Sequence, residues 1–194
     1  LLLISGLFFV LINSNVKELF SLLPKQYEGG ALVVFMISFL KLYTGFLGNN
    51  GAIINNSKYY KITLPYSLMM AFSVYFLNKL FYYKLDMGTD GLALASLIVI
   101  FFANTGKILF VKRKFSMTPF TDTSLLMIGI IVGLYLLFGF WDFPFNELYL
   151  FKIPMHQLLN MFFKSILITL IYLYLVIKFQ ISDEISRLSK RFYK

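Results

Sequence analysis

The sequence predicts an all-α fold, a polytopic transmembrane bundle of about six helices. Three observations carry this reading. The chain is 59% hydrophobic and only 14% charged, with a mean hydropathy of +0.76, whereas soluble domains carry about 25% charged residues. The charges cluster between apolar runs whose lengths approach the roughly 20 residues that cross a bilayer core of about 30 Å. The basic residues also collect in alternate connections, as they do in chains that thread a membrane.

Taken in order, the first run is Leu1 to Ile12. It would rise only about 18 Å at 1.5 Å per residue, so it spans only if Asn13 to Leu23, containing VKELFSLL, continues it. The chain starts with leucine and has neither the basic start nor the small-residue cleavage site of a signal peptide. The expectation is a chain that begins inside a helix, the C-terminal piece of something longer. The second helix is read at Gly30–Leu47. The third is read at Ile62–Tyr82, with Pro65 in its first turn, where proline is tolerated. The fourth, fifth and sixth are read at Gly91–Val111, Ser124–Phe140 and Leu158–Phe179. These runs divide the chain into four helices over 1–117, two more over 118–180, and a tail over 181–194. In the tail, Ile181, Ile185, Leu188 and Phe192 recur at helical spacing beside Arg187, Lys190 and Arg191. That pattern suits a short helix lying on the membrane surface.

Loop charges give the orientation. Lys58 and Lys61, then Lys112, Arg113 and Lys114, then the basic tail fall on one side if the helices alternate. The other connections are nearly charge-balanced: Lys17 with Glu18, Lys25 with Glu28, Lys84 with Asp86 and Asp90, and Asp142 with Glu147 and Lys152. The basic side is therefore expected to be cytoplasmic, with a cytoplasmic C-terminus. The aromatic loop WDFPFNELYLFKIPMHQ (141–157) then sits at the outer headgroup level, Trp141 and His156 included. Membrane lipids account for the net charge of +9 better than nucleic acid does.

Several chemistries have no support. No cysteine is present, so there is no thiolate metal site and no disulfide framework. The single histidine, His156, cannot build a metal cluster or a Ser-His-Asp set alone. No glycine-rich phosphate loop occurs, and no cofactor is implied. Asp86 and Asp90 read as turn formers. The chain is not expected to be an enzyme.

A few polar residues lie within the apolar runs, and they are the candidates for function. Charges at such depth are costly and usually face the protein interior. Lys41 is about 11 residues into the second helix; it would snorkel, contact an anion or pair with another helix. Asn104 and Lys107 stand three apart near the basic end of the fourth helix, on one face. Lys107 and Lys164 both read as snorkelling anchors. Gly88, Gly91, Ala93, Ala95 and Ser96 give the start of the fourth helix a small face suited to close helix packing.

The connection FLGNNGAIINNSKYYK (46–61) reads as a cytoplasmic turn. Its glycines and asparagines can end a helix, and its lysines and tyrosines suit headgroup depth. Together with its flanks it carries a resemblance. KLYTGFLGNNGAIINNSKYYK, then YYKLDMGTDGLALASLIV, then KILFVKRKFSMTPFT resemble the C-terminal half of bacterial polysaccharide (O-antigen, Wzx-like) flippases of the multidrug/oligosaccharidyl-lipid/polysaccharide exporter superfamily. The resemblance covers about residues 30–124 by motif and the rest by helix count. It implies fourteen helices in two lobes around a central cavity, working by alternating access. Residues 1–117 would then be four helices of the C-terminal lobe, and 118–180 two accessory helices. The implied substrate is an undecaprenyl-pyrophosphate-type lipid-linked oligosaccharide, flipped across the bacterial inner membrane during surface polysaccharide (lipopolysaccharide) biosynthesis. The implied partner is the N-terminal remainder of the same protein, whose helices line most of the cavity. Lys41, Asn104 and Lys107 are the candidate substrate contacts. A drug/cation antiporter of the same superfamily is the alternative that an intramembrane acid pair would favour. A membrane-embedded glycan polymerase or ligase would need a large outer loop rich in arginine and histidine.

Overall fold

Each of the six apolar runs becomes a helix in the computed structural model, which describes residues 1–144, 149–150 and 153–181. They are α1 (Leu2–Ser14), α3 (Ala31–Leu47), α5 (Thr63–Lys79), α6 (Gly88–Phe115), α7 (Asp122–Phe138) and α8 (Met155–Lys178). Two short helices stand apart from these: one in the segment raised as a possible extension of the first run, and one that was not expected. α2 (Val16–Ser21) follows α1 after a break at Asn15, and α4 (Asn50–Asn55) occupies the connection read as a plain turn. The other regular structure among the described residues is a two-residue antiparallel ladder, Tyr149–Leu150 with Ile153–Pro154, and 3-10 or π turns flank several helices. The amphipathic tail expected from residue 182 onward, and parts of the aromatic loop, lie outside the described residues.

α6 and α8 are 28 and 24 residues long and apolar enough to cross a bilayer. At 1.5 Å per residue they reach about 42 and 36 Å, against a core of about 30 Å. α1, α3 and α7 are shorter apolar helices.

The helix ends follow local chemistry. Gly48 ends α3 at φ +68°, a left-handed conformation that glycine adopts without a Cβ clash. Ser116 ends α6 in the same region, its N–H donating to Lys112 O at 3.0 Å. Thr121 caps α7, accepting from the Ser124 N–H at 3.2 Å, with Asp122 in the first turn. A π turn at Leu80–Lys84 and left-handed Asp86 and Gly88 reverse the chain between α5 and α6. The small face of α6 then packs: Gly91, Ala93 and Ala95 are buried, and a Cβ on Gly91 would lie 2.9 Å from Met87 Cβ.

The chain divides into two compact units. The first holds Leu32–Phe120 with Leu1–Leu2, hence α3 to α6. α5 buries none of its residues, and Leu64, Leu68 and Phe72 form an exposed apolar stripe along it. That exterior suits lipid or further protein rather than water.

The second unit holds Leu3–Ala31 and Thr121–Lys194. Its core is three helical stripes. α1 gives Phe9 and Val10; α7 gives Met127, Ile131, Leu134 and Phe138; α8 gives Ile168, Tyr172 and Val176. α1 and α7 meet closely at Gly6, where a Cβ would lie 2.4 Å from Ile131 Cδ1 and 2.9 Å from the Tyr172 hydroxyl. That hydroxyl donates to Leu3 O at 2.5 Å.

Candidate functional sites

The buried stripe of α8 does not begin as an apolar one. Asn160 and Lys164 continue the four-residue spacing of Ile168, Tyr172 and Val176, and all five are buried. Lys164 is therefore not the snorkelling anchor that its position suggested. It is 1% exposed, and its ammonium donates to Glu18 Oε1 at 2.6 Å, Asp142 Oδ1 at 2.7 Å and Ser14 O at 3.1 Å. A lysine has three N–H donors, so this one is fully used. The break at Asn15 turns α2 so that Glu18, 5% exposed, faces inward. Glu18 had been read as a loop acid balancing Lys17; it is instead the buried partner of Lys164.

Asn160 closes the network. Its amide nitrogen donates to Glu18 Oε1 at 2.7 Å and to Asp142 Oδ1 at 3.3 Å, and its oxygen accepts from the Phe143 N–H at 3.0 Å. Asn15 ties the same region to α8 by donating to Ser165 Oγ at 3.2 Å. The hydrogen bond from Lys164 holds the Asp142 carboxyl below the usual carboxylate range, helped by Asn160 and opposed by partial desolvation. Beside the network is a cavity of about 250 Å³ lined by Lys17, Glu18, Asp142, Phe143, His156 and Gln157 together with Asn160. A lysine donating to three acceptors is neither a free base nor a nucleophile. Its chemistry here is to clamp α2, the segment after α7, and α8 together. One signal in the sequence could have found it: Lys164 falls on the same i, i+4 stripe as Ile168, Tyr172 and Val176.

The first unit holds the residues singled out from the sequence. Lys41 on α3 is exposed, with no hydrogen bond or ion pair to another described residue. Thr44, one turn on, accepts from Asn104 Nδ2 at 3.2 Å and donates to Leu40 O at 2.9 Å. One residue along each helix, the Tyr43 hydroxyl meets Thr105 Oγ1 at 2.5 Å, and its ring stacks on Phe101 at 4.7 Å. Lys107 turns elsewhere. Its ammonium is 5.8 Å from the centre of the Tyr66 ring on α5, a distance at which a cation is drawn to the ring face. The Tyr66 hydroxyl donates to Ala103 O. Asn104 and Lys107 thus share a helix face but contact different neighbours.

Two basic connections meet in this unit. Lys58 and Lys114 stand 5.3 and 5.6 Å from the centre of the same ring, Tyr59. That ring packs edge-on against Phe110 and Phe115 at 5.5 and 6.0 Å. Between α4, α5 and α6 lies a cleft of about 240 Å³ lined by Ile54, Asn55, Thr63, Tyr66, Lys107 and Phe110, among others. Among the described residues, no group of three His, Cys, Asp or Glu side chains is placed to hold a metal ion.

No family model matches this chain, and no curated protein or solved structure does so either.

Proposed function

We propose that the chain is the C-terminal membrane segment of an inner-membrane flippase for undecaprenyl-pyrophosphate-type oligosaccharides, with its C-terminus cytoplasmic. The order of its motifs supports this reading, as do the two helices of spanning length and the exposed apolar side of α5. The meeting of two basic connections at Tyr59 supports a shared cytoplasmic end. The observation that carries the substrate class is Lys41, a cation in an apolar helix with no acidic partner among the described residues, one turn from the Thr44–Asn104 hydrogen bond. An ammonium in a low-dielectric site attracts a pyrophosphate strongly.

The test is complementation of a flippase-deficient strain with the full-length gene. Surface polysaccharide is expected to return with wild type, to fall most with Lys41→Ala and to fall less with Lys107→Ala. Equal activity of Lys41→Ala and wild type would remove Lys41 from the site. A second reading is the drug/cation antiporter of the same superfamily; Glu18 and Asp142 share one lysine but lie outside the long apolar helices and are not the intramembrane acid pair that would favour it. Drug export without polysaccharide rescue would select it.

A further inference from the structure

The cleft beside Tyr66 lies at the basic end of the first unit, and no acid in that unit's helices faces it. The segments Leu32–Leu85 and Gly91–Phe120 contain no Asp or Glu at all. Their charged residues at the basic connections are Lys58, Lys61, Lys112, Arg113 and Lys114, of which Lys58 and Lys114 meet at the Tyr59 ring. Lys107 is in the cleft wall itself, held over the Tyr66 ring. Tyr66 is fixed by its bond to Ala103 O, and only a glycine at 106 leaves room for it: a Cβ there would lie 2.7 Å from the hydroxyl. Asn55 accepts from Thr63 Oγ1 at 2.7 Å through its oxygen. Its two amide N–H donors are then left for a ligand. Ile54, Ile62 and Phe110 supply apolar wall.

A cation, amide donors and an apolar wall at the end of a membrane-length helix fit an amphiphile with an anionic head. From this charge complementarity we propose that the cleft binds the phosphate headgroup of an anionic phospholipid, in the leaflet this end faces. Lys107 and Asn55 would contact the phosphate, and the first part of an acyl chain would lie against Ile62 and Phe110. Lys58 and Lys114, both beside the Tyr59 ring, would draw the headgroup in. The proposal does not depend on what the parent protein transports.

The test is native mass spectrometry of the full chain in detergent, titrated with phosphatidylglycerol or phosphatidylcholine. Wild type is expected to retain phosphatidylglycerol preferentially. Lys107→Gln should weaken that retention about fivefold, the factor for roughly 1 kcal/mol per basic residue at an anionic surface. Lys84→Gln, at the opposite end of α5, removes the same charge and should leave retention unchanged. Ser67 also lines the cleft; Ser67→Leu fills it while keeping every charge, and should also reduce retention. Equal retention of the two lipids, equal effects of Lys107→Gln and Lys84→Gln, or normal retention by Ser67→Leu would each overturn the assignment. Glycerol phosphate competing as strongly as the whole lipid would also overturn it, by making the site one for soluble phosphates.

Discussion

The Lys164 ammonium lies 2.6 Å from the Glu18 carboxylate, and the two side chains are only 2% and 6% exposed. The residues are 146 positions apart in sequence, so this contact joins the two ends of the second unit. Removing one member of a buried pair leaves the other charged and unpaired, which costs about 3–5 kcal/mol. Lys164→Met should therefore destabilise the protein by about that much, read as a fall in melting temperature in detergent. Glu18→Gln combined with Lys164→Met should recover most of the loss. Additive effects of the two changes would show that the pair is not coupled.

Asp142 gives the clamp a pH dependence. Lys164 holds its carboxyl below the usual range, so the stabilisation it brings is full above the unfolded value, about pH 3.9. The stabilisation is lost as pH falls through the lower folded value. Acid unfolding of wild type should show this component below about pH 4, and Asp142→Asn should lack it. Because the Asp142 side chain is 57% exposed, the effect should be smaller than that of Lys164→Met. An unchanged acid limb in Asp142→Asn would count against the contact.

Glycines offer a contrast between neighbouring helices. A methyl on Gly6 would press on Ile131 and Tyr172 together, and overpacking of this kind costs about 1–3 kcal/mol. A methyl on Gly129 or Gly133 of α7 would meet nothing within 4 Å. At those positions Gly→Ala should stabilise by about 0.5–1 kcal/mol through helix propensity. Thermal unfolding of the three single variants decides it, and equal effects would argue against the close α1–α7 approach.

Tyr66→Phe should remove one hydrogen bond, worth about 0.5–1.5 kcal/mol, while keeping the ring under Lys107. Gly106→Ala should do more, since the ring itself must move. Amide exchange at the α5–α6 contact, measured for both variants, should rise in that order.

The sequence by itself determined the helices. Apolar runs of about 12–24 residues, bounded by glycines, asparagines and charges, are too long for typical strands and satisfy their backbone groups internally as helices, so all six long elements were legible. The small face of α6 was legible too, because small residues at helical spacing have one common use. Tertiary structure alone decided where the charges went. Glu18 and Lys17 are adjacent in sequence, and nothing in that pair says which side chain turns inward. The break at Asn15 rotates α2 until Glu18 meets an ammonium from the far end of the chain. Lys164 likewise reads as a surface anchor until its stripe is seen to be the buried one. Hydropathy is a local property and survives translation into sequence. An ion pair depends on two positions brought together, and which helices meet is fixed by packing that no single run contains.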